Sequence, residues 1–393
     1  GGTATSNTAA LIFGGYPGSD PTIASTIVWN GSTWTEVSDL STAINSNTGL
    51  GSTTAALSVG GSPVVTATEE WTAPATFTQF NIGQLYYNSD SSSGAIKVVG
   101  QGTGAWASGG NMNTGRVYQA GAGISNTSAI VFAGDVQPYP SSGTLNTETY
   151  DGTSWTEVNN LSAAHESGIG FGTTASAMCT AGPSTTVTAE SWDGTNWTEV
   201  GDLNTARGDG AGSGTSNTSG LIVGGYAPSV PGNTDITEIW NGTSWTESGD
   251  LNQARHQLSA ANRAPTTAAL AFGGEGPALT AIAESFDGTS WTEVADLNTA
   301  RRFPAGLGTQ VAALAAGGGT PPDSAVTESW NGTAWTEVAD LALARRVAGG
   351  SGTTTTGIVS GGISGAGTSS PVWAVTTTEE WTVPTAIETI TAT

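Results

Sequence analysis

One block of residues returns from end to end of this chain, and that return constrains the fold more than any other feature. An apolar stretch ends in Gly-Gly, a variable loop follows, and then comes a line such as Thr-Glu-Ser-Trp-Asn-Gly-Thr-Ala-Trp-Thr-Glu-Val, trailed by Asp-Leu and a short link. The second Trp of that line falls at Trp34, Trp106, Trp155, Trp197, Trp245, Trp291 and Trp335, and after the first interval these lie 42 to 49 residues apart. A unit of this length cannot bury its own apolar face, so neighbouring units must cover one another.

Within a unit the pattern reads as four short strands. Residues 210–215 are small, which lets backbones crowd together. An apolar run at 220–223 ends in Gly224-Gly225, residues 237–240 follow, and Asn241-Gly242 marks a hairpin. In the last strand, alternation puts Trp245 and Glu247 on one face and Thr246 on the other. Four-stranded units of about 40–50 residues are propeller blades. Eight second strands end at Gly15, Gly61, Gly134, Gly182, Gly225, Gly274, Gly318 and Gly362. The expectation is an all-β propeller, a single domain over 1–393 with eight four-stranded blades in one ring, because two isolated blades would leave open edges and a bare apolar face. The alternative is a six-bladed ring plus two blades of another. It rests on Trp71-Thr-Ala-Pro74 and Trp381-Thr-Val-Pro384, where the Asn-Gly turn is missing. In the six-bladed case the remaining units close around Trp106. Residues 75–104, with Tyr86, Tyr87 and Lys97, read as a hairpin inserted within blade two and offer a surface for a homo-oligomer.

The apolar strand, Gly-Gly, Glu-x-aromatic turn and spaced Trp resemble the kelch repeat over nearly the whole chain. Trp192 and Phe286 stand where that repeat usually has Tyr. The segment Ala105-Trp-Ala-Ser-Gly-Gly-Asn-Met-Asn-Thr114 is similar to kelch-type repeats of marine bacteriophage structural proteins, which implies a virion or extracellular setting.

Charge narrows the partners. Nine Lys and Arg against 32 Asp and Glu give a net charge of −23, which repels phosphate backbones and anionic membranes. The expectation is therefore no nucleic acid, and no apolar run is long enough to span a membrane as a helix. The first residues, Gly1-Gly2, look like a processed or trimmed start. Cys179, the one cysteine, excludes an intrachain disulfide.

Cations recur with the repeat. The position after the link holds Ile44, Arg116, His165, Arg207, Arg255, Arg301 and Arg345. Such residues either pair with a blade carboxylate or form a cationic ring that receives an acidic sugar or a partner's carboxylate. Glutamates recur equally, at Glu148, Glu190, Glu238, Glu284 and Glu328, and equivalence in every unit marks a sheet motif instead of the unique carboxylate pair of a glycosidase. A copper oxidase of the kelch-propeller kind needs a Cys-Tyr pair and two histidines. Here Cys179 sits in an apolar strand, and His165 and His256 lie in links. Asp39, Asp202, Asp250, Asp296 and Asp340 end the fourth strands. They form no calcium-loop spacing, so no cofactor is indicated, although oxygen-rich turns can hold Ca2+.

Function in a repeat protein sits where units differ. The long loops after Gly-Gly carry Tyr16, Tyr139, Tyr226 and Trp373, aromatic residues that stack on sugars or anchor partners. With the arginines they make the candidate ligand face. The functional expectation is a non-enzymatic binding or structural protein, extracellular or on a virion surface. It would be a phage fibre or decoration component contacting host surface glycan or neighbouring subunits. The alternatives are a secreted adhesin or matrix protein, and a glycan-processing propeller enzyme.

Overall fold

The computed structural model describes residues 2–6, 9–16, 22–29, 34–37, 39–51, 55–62, 68–72, 85–88, 95–136, 143–182, 186–229, 232–364 and 374–390. Among them every helix or strand element is a β-strand. The chain divides into two compact units, Gly1–Gln84 and Leu85–Thr393.

The second unit is a β-propeller of six four-stranded antiparallel blades. The first blade runs Ala120–Ser125, Ser128–Phe132, Thr147–Tyr150 and Trp155–Val158. The second, third, fourth and fifth begin with the inner strands Ile169–Thr173, Ala211–Ser216, Ser259–Ala260 and Ala305–Thr309. The sixth has Gly349–Gly352, Thr356–Ser360 and Thr378–Thr382, and its outer strand is Ala105–Ser108. Each inner strand neighbours the next, and Ala120–Ser125 lies beside Gly349–Gly352, so the ring is closed.

This replaces the eight-bladed single domain with the six-plus-two alternative. The reason is local: past Trp381 the chain has no Asn-Gly turn to make its own fourth strand, and the strand ahead of the first blade fills the place. Trp106 pairs with Trp381, their ring centroids 5.3 Å apart. The hairpin expected within blade two belongs instead to the second unit. Leu85–Asn88 pairs with Ala95–Gln101, which pairs in turn with Thr385–Ile390, giving a three-stranded sheet.

Blades pack through one aromatic and many small residues. Phe171 of the second blade meets Trp240 and Trp245 of the third. A Cβ on Gly220 would lie 2.1 Å from the Phe171 ring, so this glycine is a steric requirement. The outer-strand Trp also bonds backward: Trp197 Nε1 donates to Thr147 of the preceding blade at 2.9 Å, Trp291 to Thr237 at 2.9 Å, Trp155 to Thr378 at 3.0 Å and Trp106 to Thr327 at 3.1 Å. Where that Thr is Ala283, the buried Trp335 Nε1 has no partner among the described residues. The Asn-Gly turns are four-residue loops in which Asn241 Oδ1 accepts the N–H groups of Thr243 and Ser244, both at 2.9 Å. In the equivalent turns at Asp151, Asp193 and Asp287, these backbone donors hold the carboxyl below its ordinary value.

The first unit holds two blades. One is Gly2–Ser6, Ala9–Gly15, Ile23–Trp29 and Trp34–Val37; the other is Thr48–Gly51, Ala55–Val59 and Thr68–Thr72. Leu11, Phe13, Leu40, Ile44 and Ala56 are buried between them.

Candidate functional site

The repeating charges are consumed inside the scaffold. The link after each outer strand folds back so that its cation meets the glutamate on the third strand of the blade it enters. Arg207 Nη1 lies 2.6 Å from Glu238 and Arg345 Nη2 lies 2.8 Å from Glu379. Arg116–Glu148, Arg255–Glu284 and Arg301–Glu328 pair in the same way, and His165 takes the role opposite Glu190 at 3.2 Å. The five arginines and His165 are all buried. The second carboxylate oxygen is satisfied by the link itself: Asn204 donates to Glu238 through its N–H at 2.8 Å and through Nδ2 at 2.7 Å, and Nδ2 reaches Trp245 O at 3.1 Å. Asn113, Asn252 and Asn298 repeat this arrangement. Burial pulls the Arg116, Arg207, Arg301 and Arg345 guanidiniums down from their usual value, and the paired glutamates pull them back. Burial works to raise the Glu190 carboxyl, but donors from His165, Ser162 and Ala163 together hold it below its usual value.

The cationic ring is therefore corrected. Arg116, Arg207, Arg255, Arg301 and Arg345 present no guanidinium to a ligand, because a charge buried among apolar blades must be paired. Among the recurring aspartates, Asp250 and Asp340 are also occupied: their Oδ1 atoms accept the N–H of Thr237 and Thr327, each at 3.1 Å. Cys179 is buried, which pushes its thiol well up. Among the described residues no three His, Cys, Asp or Glu side chains are grouped to hold a metal.

The loops after Gly-Gly do share a face with the links, since Gly208 bridges to Tyr226, His256 to Glu275, Arg302 to Gly319 and Arg346 to Ile363. Tyr226 is exposed there, its ring edge-on to His256. Tyr16 is exposed in the first unit. Tyr139 and Trp373 lie outside the described residues.

What residue-by-residue reading missed sits two positions after each latch cation. Tyr118, Ser167, Asp209, Gln257, Phe303 and Val347 all adopt left-handed backbone, with φ between 51° and 58°. A non-glycine residue there costs of order 1 kcal/mol or more, and such strain collects at functional sites. Backbone bonds chain several of them: Gln257 N–H donates to Asp209 O at 2.7 Å, Phe303 N–H to Gln257 O at 2.7 Å and Tyr118 N–H to Val347 O at 3.2 Å. Five of the six line an axial cavity, walled below by the small residues of the inner strands. The fourth blade, with its two-residue inner strand, supplies a plug. Asn262 Nδ2 donates to Gly350 O at 2.6 Å, and Arg263 Nη1 donates to Ile124 O at 3.3 Å in the first blade, across the axis. The channel becomes a cup.

The cup has two halves. Blades two and three contribute Ser167 and Asp209; blades five, six and one contribute Phe303, Val347 and Tyr118. The Tyr118 and Phe303 rings meet edge to face at 5.5 Å. Burial raises the Asp209 carboxyl, while His256, Ser167 and Gln257 pull it back. Asp209 Oδ1, Gln257 Oε1 and Asn262 Oδ1 are buried acceptors without a partner among the described residues. Chemically this is a cup with one aromatic, apolar side and one polar side, a lining suited to an amphipathic ligand.

No family model matches the chain, and no curated protein does. A solved structure that shares the fold is YjhT, 12% identical, with a TM-score of 0.56, covering 71% of this chain and 99% of that one. At that identity the likeness shows the fold, an all-β propeller.

Proposed function

We propose that this chain is a non-enzymatic, kelch-like binding propeller of a virion or other extracellular appendage, a fibre or decoration component that engages host surface glycan or a neighbouring subunit. One observation carries the reading: every repeated Arg–Glu pair is buried in a latch, whereas the residues that differ between blades gather at the rim of an open cup. Sugars match such a cup, with a hydroxyl edge for acceptors and a C–H face for Tyr118 and Phe303. The net charge of −23 favours neutral or basic partners. The likeness of residues 105–114 to phage structural repeats supports the virion setting over a secreted adhesin of the same physics.

The test is binding of labelled protein to intact bacteria and a panel of their surface glycans, with and without Ca2+. The expected result is saturable binding that Phe303→Ala and Asp209→Ala abolish without altering the melting temperature by more than a few degrees. Polysaccharide turnover that one such substitution abolishes would overturn the non-enzymatic reading.

A further inference from the structure

The first unit carries the same interblade surfaces as the ring, yet two of them are uncovered. Its second blade pairs Leu50 with Leu57, as the ring pairs Phe171 with Met178 and Leu307 with Leu314. In the ring those four side chains are fully buried, because the following blade brings Trp240 and Trp245, or Trp381, over them. Leu50, Leu57 and Val59 have no such cover, and Leu50 is 55% exposed. The opposite flank is bare too. Trp34, in the outer strand of the first blade, is 47% exposed, while its equivalents Trp155, Trp197, Trp245, Trp291 and Trp335 are no more than 9% exposed. Ile12 beside it is exposed, where Cys179 and Ala315 at the same register are buried.

These flanks are not arbitrary hydrophobic patches. One is the leading side of a blade and the other the trailing side, and the interface they would make already exists once in the same unit, where Leu11 and Phe13 meet Ile44 and Ala56. A leading side fits a trailing side, so the contact is heterologous, and a heterologous contact forms a closed ring when its rotation divides a full turn. The ring in the second unit shows what this repeat does: it closes at six. Each blade then turns the chain by about 60°, two blades by about 120°, and three copies complete the circle.

We infer that three copies of this chain pool their two-blade units into one six-bladed ring, with Ile12 and Trp34 of each copy covered by Leu50, Leu57 and Val59 of the next. The occupant of each flank is a second copy of this chain. The inference is independent of what the axial cup binds.

The test uses the full chain and measures particle mass by light scattering over a wide concentration range. The expected wild-type result is a trimer at high concentration. Leu57→Glu and Trp34→Glu each spoil a different flank, and each variant alone should be monomeric with an unchanged circular-dichroism spectrum. Mixed, they retain one good leading and one good trailing flank between them, and should form a one-to-one dimer and nothing larger. A misfolded variant could not be rescued by its partner in this way. A wild-type chain that stays monomeric throughout, a two-fold dimer, or a mixture that gives no heterodimer would overturn the inference.

Discussion

The two units are made from one repeat, and their links differ in one device. In the six-bladed ring each link ends in an Arg, or in one case His165, that is buried against a third-strand glutamate. In the two-blade unit the same position holds Ile44, and the matching Glu69 accepts the Ser41 N–H at 2.6 Å, with no cation opposite it among the described residues. Both links are anchored, for Asp39 Oδ1 receives the Thr26 N–H as Asp250 receives that of Thr237. The lesson is that turn and strand chemistry suffices to make a blade. The buried ion pair adds a fixed tie between each link of the ring and the blade it enters.

Four tests break or sharpen that contrast, from the largest expected effect downward. Glu284→Ala strands the buried Arg255 charge and should cost about 3–5 kcal/mol in urea unfolding, whereas Glu69→Ala should cost only about 0.5–1.5 kcal/mol. Exchanging the pair together, Arg255→Met with Glu284→Leu, should restore most of the loss. Equal costs at Glu284 and Glu69 would remove the distinction between the units.

Glu380→Ala attacks the seam where the sixth blade meets the first. Glu380 accepts the Tyr150 hydroxyl at 2.5 Å and Asn126 Nδ2 at 2.9 Å, so its loss should cost about 1–3 kcal/mol. Burial and that bond push the Tyr150 hydroxyl up to about 12. The folded state therefore keeps a proton that the unfolded chain releases near pH 10, and stability falls as pH rises from there toward 12. In the variant an alkaline ultraviolet titration should show this tyrosine ionising nearer pH 10.

Ala283→Thr should help. It places an acceptor where Thr147, Thr237, Thr327 and Thr378 serve their tryptophans, and gives Trp335 Nε1 a partner worth about 0.5–1.5 kcal/mol in thermal unfolding. The smallest effect belongs to Asp209→Asn. Because the folded carboxyl holds its proton above the ordinary aspartate range, the native state loses stability as pH rises from that range through the raised value. The amide should remove this slope and leave neutral-pH stability equal or slightly higher. A steeper slope would mean that the carboxylate is stabilised in the cup instead.

Much of this was legible from residues alone. The Trp spacing set the blades, and Gly-Gly with Asn-Gly set their ends. The coincidence of a periodic Arg with a periodic Glu pointed to the latch as one of two readings. Ring closure was not decidable, because a strand such as Ala105–Ser108 carries no mark of which sheet it will join from the far end of the chain. The rim residues stayed hidden for a different reason. Tyr118, Phe303 and Val347 are poor left-handed residues by preference, and the link into the inner strand holds them so, as it holds Ser46 at the same place in the first unit. The plug did leave a trace: Ala261-Asn-Arg-Ala-Pro265 interrupts the small-residue inner strand in the fourth unit only.

Hydrogen exchange on the full chain tests the central claim most directly, since six-bladed closure depends on the strand Ala105–Ser108. Paired with Thr378–Thr382, its bonded amides should be as protected as those of the outer strand Trp155–Val158. Exchange of Ala105–Ser108 at the rate of unpaired chain, with Thr378–Thr382 left as an open edge, would contradict the closed ring.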